Sequence, residues 1–358
     1  MSAHQPSRSY RDPQKHRNDV PGCLHFSYED LKKATDNFNQ KPLNMGGRKL
    51  GEGGFGPVFL GMLKFTEVAI KILRNVPKGD KAAAELAAEQ FRTEVEVLTR
   101  FRHPNLVTLI GFSNSANWKC LIYEYLPNAT LEDALEIGLQ SSSGNTTELG
   151  KRRISLPWMC RLSIATDTAR GLAYLHTADA GNPLVHRDVK SANVLLDLSF
   201  RAKVGDFGLA RPLEDNKDER KTVRVVGTSG YIPPEYYRGV ITTKMDTFGF
   251  GVILLELISG MPSYDPRRTP KDLITFMEKD MDKANPAILC TKVDEHAGDW
   301  PSNSFVELFK IAKGCVEPKL APRSEIAEIF PDLEKLMFNS AALYSDQEQY
   351  KQKSTKSH

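Results

Sequence analysis

Residues 185–197, VHRDVKSANVLLD, form the stretch that decides the fold expected for this chain. A histidine, an arginine, an aspartate, a lysine and an asparagine stand close together just after a long apolar helix pattern. One rigid loop carrying these groups suits phosphoryl transfer. Asp188 would accept or orient the proton of an attacking hydroxyl, Lys190 would neutralise charge on the transferring group, and Asn193 would ligate a metal ion. His186 is interpreted as a packing anchor for the loop rather than as a base.

A second acidic motif follows in GDFGLAR, residues 205–211. Asp206 stands before a phenylalanine and a glycine, and a carboxylate in such a turn can hold Mg²⁺ against the phosphates of a nucleotide. Taken alone, either motif is also compatible with an ordinary surface turn. The ordered occurrence of both motifs with two others upstream argues against that alternative.

The first upstream motif is a glycine-rich loop, GEGGFGPV at residues 51–58. Gly51, Gly53 and Gly56 fit G-x-G-x-x-G followed by Val58, and the missing side chains let backbone amides approach phosphate oxygens. In isolation the match is also compatible with a hairpin whose glycines only serve the turn. A dinucleotide-binding site is disfavoured, because it needs a helix at the third glycine and the sequence continues as a strand.

The second upstream motif is VAIK, which ends at Lys71 and matches the strand that follows a phosphate-covering loop. The ammonium of this lysine would need an anionic partner from the predicted helix at residues 81–101. That helix offers four glutamates: Glu85, Glu89, Glu94 and Glu96. The setting QFRTEVEVL favours Glu94, and the others are assigned to a solvated helix face. Spacing alone does not decide among the four.

The hydrophobic pattern predicts an α+β architecture with two lobes. Strand patterns occupy residues 49–73 and reappear in HPNLVTLIGF and KCLIYEYL, with one helix-forming run between them. From residue 156 onward the strong signals are helical. The expected fold is bilobal, with a β-rich N-lobe that has one main helix and a larger helical C-lobe. The expected divisions are a flexible N-terminal segment at 1–24, the N-lobe with an N-terminal extension at 25–126, the C-lobe at 127–340 and a flexible tail at 341–358.

The composition limits the expected partners and compartment. A net charge of +3 over 358 residues gives no reason to expect nucleic acid. Five scattered cysteines lack disulfide or zinc-site spacing, so they are interpreted as reduced thiols of a cytoplasmic protein. The N-terminus lacks the apolar core of a signal peptide, and the best apolar run, VILLELI at 252–258, is too short to cross a bilayer. Direct membrane insertion is therefore not expected. No Walker-type phosphate loop occurs in the sequence.

Together these motifs resemble the eukaryotic protein kinases from about residue 25 to 340, and the resemblance implies the bilobal protein kinase fold. FSYEDLKKATDNF, HRDVKSANVLLD and GTSGYIPPEY narrow the resemblance to the group of Pelle, the interleukin-1-receptor-associated kinases and the plant receptor-like kinases. KPLNMGGRKLGEGGFG is most similar to the interleukin-1-receptor-associated kinases, whereas GFGPV and GTSGYIPPEY are also plant-like. The resemblance implies ATP-dependent transfer of the γ-phosphate to serine or threonine, with Mg²⁺ as cofactor. It implies Toll/interleukin-1-receptor-type innate immune signalling, with a plant-type receptor-like cytoplasmic kinase as the alternative.

The resemblance also implies the residues of the nucleotide pocket. Backbone groups of Glu124 and Leu126 would hold the adenine edge, and Tyr123 would be a bulky gatekeeper. The residues that would enclose the adenine ring are Leu50, Val58 and Ala69 above and Leu195 below.

Contacts that support the catalytic loop are implied in the same way. Lys190 resembles the serine/threonine rather than the tyrosine pattern, and Thr228 would hydrogen-bond the catalytic loop. Asp246 would bind the backbone of that loop. Glu235 is expected to pair with Arg323 as an internal brace.

Arg187, next to the predicted catalytic acid, suggests control by phosphorylation. A phosphate on the activation segment would neutralise this arginine and order the segment. Thr222 is the expected phosphosite, because the other hydroxyls between residues 206 and 235 lie in the GTSGY turn. Autophosphorylation between molecules implies a transient homodimer. The other expected partners are a protein substrate and a receptor-proximal adaptor or related kinase.

Two alternatives of another class remain open. A pseudokinase scaffold would bind nucleotide or partners without phosphoryl transfer. Its usual mark is loss of Lys71, Asp188, Asn193 or Asp206, and all four are present. Because intact motifs do not guarantee an assembled site, the scaffold alternative stays open. A small-molecule kinase of related fold is disfavoured by the activation segment and the GTSGYIPPEY run.

Overall fold

The computed structural model describes residues 22–53, 56–73, 80–115, 118–139, 156–179, 181–213, 226–279 and 289–355. Within these ranges a β-rich half precedes a helical half, which confirms the bilobal α+β prediction. Most of the predicted N-terminal flexible segment and the expected phosphosite Thr222 lie outside the described ranges.

A six-stranded sheet forms the N-terminal half. Its strands are β1 Leu24–His25, β2 Lys49–Gly53, β3 Gly56–Leu63, β4 Thr66–Ile72, β5 Leu109–Asn114 and β6 Lys119–Glu124. They lie in the order β1-β5-β6-β4-β3-β2, and only the β1–β5 pair is parallel. Val58 and Lys71 are Cα partners across β3 and β4. Directly opposed residues share a face of the sheet, so the end of the glycine-rich hairpin and the lysine lie on the same face.

One long helix, α2 at Lys81–Arg100, packs against this sheet. Its alanine- and glutamate-rich sequence has high helix propensity. Asp80 caps its N-terminus by accepting a hydrogen bond from a first-turn amide at 3.0 Å. Glu94 lies on the buried side of the helix and is only 2% exposed. Packing of α2 therefore carries one carboxylate into the interior together with its apolar neighbours Phe91, Val95, Val97 and Leu98.

The N-terminal extension covers one part of the sheet. Helix α1, Tyr28–Ala34, follows β1 and contacts β3. Leu31 is fully buried, and the ring of Tyr28 stacks on Trp118 with centroids 5.2 Å apart. These residues belong to an apolar cluster separate from the main core, whose other buried members are Phe38, Phe59, Val68, Ile70, Ile72, Cys120 and Ile122.

Six helices within the described ranges build most of the C-terminal half. They are α3 Leu131–Leu139, α4 Trp158–Thr177, α5 Lys244–Ser259, α6 Leu273–Glu278, α7 Ser302–Cys315 and α8 Ile326–Thr355. Helix α5 is buried from its second residue to its end, as expected for a helix that is apolar around its circumference. It ends at Gly260, which adopts the left-handed conformation with φ +66°. Of the described helices, none is both long and apolar enough to cross a bilayer.

Four short strands position the segment that contains the quoted loop. β7 Leu184–Val185 pairs with β10 Arg211–Pro212, and β8 Val194–Leu196 pairs with β9 Ala202–Val204. Because β8 and β9 are antiparallel, the start of β8 and the end of β9 lie at the same end of the hairpin. The loop before β8 and Asp206 after β9 are therefore brought close together.

The last helix extends further than the sequence indicates. Helix α8 continues through Thr355, whereas composition predicts a flexible tail over 341–358. The polar run SDQEQYKQKSTKSH has no apolar stripe to signal a helix. Adding residues to an existing helix needs no new nucleation, and glutamine, glutamate and lysine are good helix formers. Residues 341–355 are therefore helical.

Candidate active site

A cleft of about 1200 Å³ is lined by the residues that the sequence predicts to bind ATP, to catalyse transfer and to bind metal. The residues predicted to bind ATP all line this cleft: Leu50, Gly51, Gly53, Gly56, Val58, Ala69, Lys71, Tyr123, Glu124, Leu126 and Leu195. The predicted catalytic and metal-binding residues line it as well: Glu94, Asp188, Lys190, Asn193 and Asp206. Residues from the sheet, from α2 and from the β7–β9 segment thus meet in one place.

The glycine-rich hairpin leaves open space on its surface. Gly51 is the partner of Val58, and Gly53 is the partner of Gly56, in the β2–β3 ladder. A Cβ added at Gly51 or Gly53 would meet no atom within 4 Å, so room for a ligand remains beside the backbone. Gly56 has φ +134°, which other residues rarely adopt. The chain continues from Gly56 as strand β3, as expected for a phosphate-covering hairpin and not for a dinucleotide-binding turn.

Lys71 is held between two carboxylates. Its Nζ lies 2.9 Å from Oδ1 of Asp206 and 3.5 Å from Oε2 of Glu94. Burial opposes the charge on the ammonium, but Glu94 and Asp206 outweigh it and raise the pKa of Lys71 above its ordinary value. Glu85, Glu89 and Glu96 are exposed, so only Glu94 of the four candidates lies inside.

Tyr123 contributes a hydrogen bond as well as bulk. Its hydroxyl donates to Oε1 of Glu94 at 2.6 Å. Burial and the nearby Glu94 carboxylate raise the pKa of Tyr123 well above its ordinary value, so the hydroxyl stays protonated and acts as donor. Glu94 therefore has a cationic partner on one oxygen and a neutral donor on the other. This arrangement fixes α2 against β4 and β6.

The catalytic-loop side chains form a closed set of contacts. Nζ of Lys190 lies 2.8 Å from Oδ2 of Asp188 and donates to Oγ1 of Thr228 at 2.7 Å. The Thr228 hydroxyl donates in turn to Oδ1 of Asp188 at 3.0 Å. The amide nitrogen of Asn193 donates to the Asp188 carbonyl at 2.8 Å and to its carboxylate at 3.0 Å. The expected bond from Thr228 to the loop is present.

Buried polar groups orient the backbone of this loop. Asp246, at the start of α5, accepts hydrogen bonds from the amides of His186 at 2.7 Å and Arg187 at 2.9 Å. His186 donates from Nε2 to the Gly205 carbonyl at 3.0 Å, and its ring packs edge-on against Phe207. The predicted anchoring role of this histidine and the predicted Asp246 contact both match these bonds. The predicted brace is also present, because Arg323 Nη2 donates to Oε2 of Glu235 at 3.1 Å.

Asp206 and Asn193 are the residues available to hold a divalent cation. Mg²⁺ commonly takes one or two protein oxygens and completes its shell with phosphates and waters. The nitrogen of the Asn193 amide is committed to Asp188, which leaves the amide oxygen as the ligand atom. In the described part of the chain, no group of three or more His, Cys, Asp or Glu side chains is arranged for a metal. The two residues therefore suit a cation that arrives with nucleotide phosphates.

Arg187 directly precedes Asp188, and its guanidinium has two hydrogen-bond partners. Its Nη2 donates to the Tyr236 hydroxyl at 2.7 Å and its Nη1 to the Leu209 carbonyl at 3.3 Å. Its buried Nε has no hydrogen-bond partner among the described residues. Thr222, which the sequence analysis connects with this arginine, lies outside the described residues.

Comparison with known proteins identifies the fold that carries this cleft. Residues 45–332 match the protein kinase domain family. The chain belongs to that family. Similar protein kinases from Arabidopsis thaliana include probable serine/threonine-protein kinase PBL28, 33% identical over 324 residues that cover 89% of this chain and 80% of that protein. Proline-rich receptor-like protein kinase PERK7 is 42% identical over 272 residues, which cover 75% of this chain and 34% of that protein. Receptor-like protein kinase HERK 1 is 36% identical over 307 residues, which cover 85% and 34%.

These protein kinases differ in how much of their length the match covers. The chain spans 31–36% of the receptor-like relatives, and the matched region in each of them is therefore only a part. PBL28 is matched over most of its length.

Two examples of interactions in this kinase domain that the sequence does not predict involve Tyr231 and Lys203. The hydroxyl of Tyr231 donates to the buried carboxylate of Glu256 at 2.7 Å and lies 3.0 Å from the Ser191 hydroxyl. Lys203 forms an ion pair with Glu124 at 2.9 Å. Neither pair has a local spacing signal, because the partners are far apart in sequence and each residue type is common in its setting.

Proposed function

We propose that the chain is an ATP-dependent protein kinase that transfers the γ-phosphate to serine or threonine hydroxyls. One observation carries the proposal. The set formed by Lys71, Glu94 and Asp206 shares a cleft with the set formed by Asp188, Lys190 and Asn193. The first set suits nucleotide phosphates and the second suits an attacking hydroxyl.

The residues have separate tasks in the proposed reaction. Lys71 would bind nucleotide phosphates, with Glu94 holding its ammonium in place. Asp188 would accept a hydrogen bond from the substrate hydroxyl and orient it towards the γ-phosphate, and Lys190 would neutralise negative charge there. Asn193 and Asp206 would hold Mg²⁺, which supplies electrostatic stabilisation of the phosphates.

Serine and threonine are the proposed acceptors. The support is the position of Lys190, whose ammonium bridges Asp188 and Thr228 and so occupies the edge of the cleft beside the acid. The name of the similar PBL28 states serine/threonine specificity for that protein. Tyrosine phosphorylation would need a different arrangement at this edge.

The contacts in the cleft argue against the pseudokinase alternative. A pseudokinase lacks one of the groups that bind phosphate, metal or hydroxyl, or holds them apart. Here Lys71 contacts both Glu94 and Asp206, and Asn193 contacts Asp188. The geometry thus supports an enzyme.

We propose that the chain acts as a plant-type receptor-like cytoplasmic kinase. The similar plant kinases support this alternative over Toll/interleukin-1-receptor-type innate immune signalling. The proposed compartment is the cytoplasm, which agrees with five cysteines present as free thiols. A protein substrate and a receptor-proximal partner are proposed on the same basis.

Thr222 is the proposed activating phosphosite, modified by a second copy of the chain in a transient dimer. The unused Nε of Arg187 supports the proposal, since a phosphate could accept its hydrogen bond. Replacing Thr222 by Ala should then lower activity while Thr228→Ser keeps it. Full activity in the Thr222→Ala variant would refute this role.

Transfer to protein is tested by phosphoamino-acid analysis. The chain is incubated with Mg²⁺, labelled ATP and a mixed generic protein substrate, next to a Lys71→Met variant. The expected label is on serine and threonine, and it falls at least a hundredfold in the variant, by analogy with other essential charged groups. Label on tyrosine alone, or equal label with both proteins, would exclude the proposed function.

A further inference from the structure

An ion pair between Glu124 and Lys203 lies next to the proposed nucleotide cleft. Glu124 ends β6 and lines the cleft, and its Oε1 accepts a hydrogen bond from Nζ of Lys203 at 2.9 Å. Lys203 is absent from the described lining of the cleft. The two side chains are 28% and 14% exposed, so water screens this pair less than a pair on the open surface. The ammonium of Lys203 therefore reaches the cleft only through its partner Glu124.

The same carboxylate oxygen is tied to a second segment. Oε1 of Glu124 also accepts from the Thr108 amide at 2.8 Å. The amide of Glu124 donates to the Thr108 carbonyl at 3.1 Å. Three hydrogen bonds thus hold residue 124, two through Oε1 of its side chain and one through its backbone amide.

Lys203 connects Glu124 with the floor of the cleft. It lies in β9, where its Cα partner is Leu195 of β8, and Leu195 lines the cleft. The next residue, Val204, donates to the Asn105 carbonyl and accepts from the Val107 amide, both at 2.9 Å. Residues 105–108 therefore bind β9 through Asn105 and Val107, and they bind Glu124 through Thr108. Through its bond to Glu124, Lys203 also joins β9 to β6 directly.

We propose that Glu124 and Lys203 are positioning residues that set the spacing between the backbone of residue 124 and Leu195, and thereby the affinity for the adenine ring. The inference rests on the proposed function and names what holds its nucleotide site. Lys203 does not line the cleft, so it acts through residue 124 and through Leu195. The phosphate-side groups Lys71 and Asp206 have their own partners, so the effect falls on nucleotide affinity and not on the transfer step.

Variants of Lys203 test the proposal. Lys203→Met removes the ammonium and keeps most of the apolar stem, whereas Lys203→Arg retains the charge. The Met variant should raise KM for ATP and Kd for adenosine about three- to tenfold with kcat changed less than about twofold, and the Arg variant should stay near wild type. Adenosine has no phosphates, so its Kd, measured by calorimetry, reports the base end of the site alone.

Two further variants make the test specific. Arg201→Met, one residue before β9, breaks the pair with Asp197 in which the arginine side chain is 69% exposed, and it should leave adenosine affinity unchanged. Glu124→Gln removes the charge but keeps an acceptor oxygen, so it should weaken adenosine binding in the same direction as Lys203→Met but by no more. The double variant should bind no more weakly than Lys203→Met. Because Gln is nearly isosteric with Glu, this variant carries the test if Lys203→Met does not fold.

Three results would overturn the inference. They are unchanged adenosine affinity in the folded Lys203→Met and Glu124→Gln variants, an equal loss in Lys203→Arg, or a fall in kcat with constant KM. A failure of the proposed function is distinguishable from these results. In that case the wild type transfers no phosphate, yet its adenosine affinity still responds to the variants.

Discussion

Single residues in the cleft combine structural and chemical roles. Lys71 pairs with two carboxylates, those of Glu94 and Asp206, and Thr228 donates to Asp188 while accepting from Lys190. A buried charge is tolerated only when it is paired and hydrogen-bonded. These side chains are therefore held in position before any substrate arrives, which is the condition for electrostatic stabilisation of a transition state.

The Tyr123 hydroxyl provides a test of this pairing. Tyr123→Phe removes the donor to Glu94 and keeps the ring, so one buried carboxylate oxygen loses its neutral partner. The free energy of unfolding should fall by about 1.5–3 kcal/mol, the range for a hydrogen bond to a charged group. Urea denaturation measures the change. Tyr237→Phe, at a side chain 60% exposed, is the matched control and should change stability by less than about 0.5 kcal/mol. Equal stability of the two variants would contradict the role of this bond.

Glu256 predicts a pH dependence of stability. Burial raises its pKa from 4.5 to about 7, although Tyr231 and the Ser263 amide donate to its carboxylate. The folded state thus binds the proton more tightly than the unfolded state. The resulting stabilisation is fully present below pH 4.5 and is lost as pH rises through 7.

The Glu256→Gln variant isolates this contribution. Glutamine imitates the protonated acid at every pH, so the stability of the wild type relative to the variant should fall by about 3 kcal/mol between pH 4.5 and 8. Urea unfolding at several pH values measures the difference. Parallel stability curves for the two proteins would show that the acid titrates normally.

For single residues, the sequence predicts the roles of those that stand in a recognisable motif and misses the roles of those that do not. Asp188, Asn193 and Asp206 stand in motifs whose chemistry is readable from residue types. Glu94 is favoured by its setting, but its burial, at 2% exposure, is what separates it from the other glutamates. Lys203 is a lysine in a short strand, and only its hydrogen bond in the folded structure reveals that it reaches Glu124.

Among the elements, those with strong local patterns are the predictable ones. Helix α2 and strands β3 to β6 follow hydrophobic periodicity and motif position. The parallel pairing of β1 with β5 involves only two residues of β1 and has no local signal. Helix α8 continues past residue 341 because helix elongation does not require an apolar face. Tertiary contacts and helix elongation therefore determine the elements that hydrophobic periodicity does not predict.

The N-terminal extension should contribute directly to the stability of the β-rich half. Leu31 of α1 is fully buried among aromatic side chains, whereas Leu24 of β1 is 60% exposed. Leu31→Ala should lower the free energy of unfolding by about 2–5 kcal/mol because it leaves a cavity. Leu24→Ala is the control in the same extension and should cost less than about 1 kcal/mol. If thermal and urea unfolding give equal values for the two variants, α1 does not pack as described.

The whole molecule joins a β-rich half and a helical half around one cleft. The order of these halves follows from the sequence, because strand signals end near residue 126 and helical signals dominate from 156. Their assembly depends on long-range contacts that no local pattern contains. Examples are the Lys71–Asp206 ion pair and the hydrogen bonds that join Val204 to residues 105 and 107. These contacts connect the sheet with the segment that carries the catalytic loop.

The central claim is that this cleft transfers phosphate to protein hydroxyls. Intact-mass analysis after incubation with Mg²⁺, ATP and a generic protein substrate tests it most directly, with wild type compared with Asp188→Asn. We predict added phosphate in the wild-type reaction, on the chain itself or on the substrate, and none above background in the variant, since the carboxylate that orients the hydroxyl is gone. A wild-type chain that binds ATP but adds phosphate to neither protein would contradict the account and indicate a nucleotide-binding scaffold.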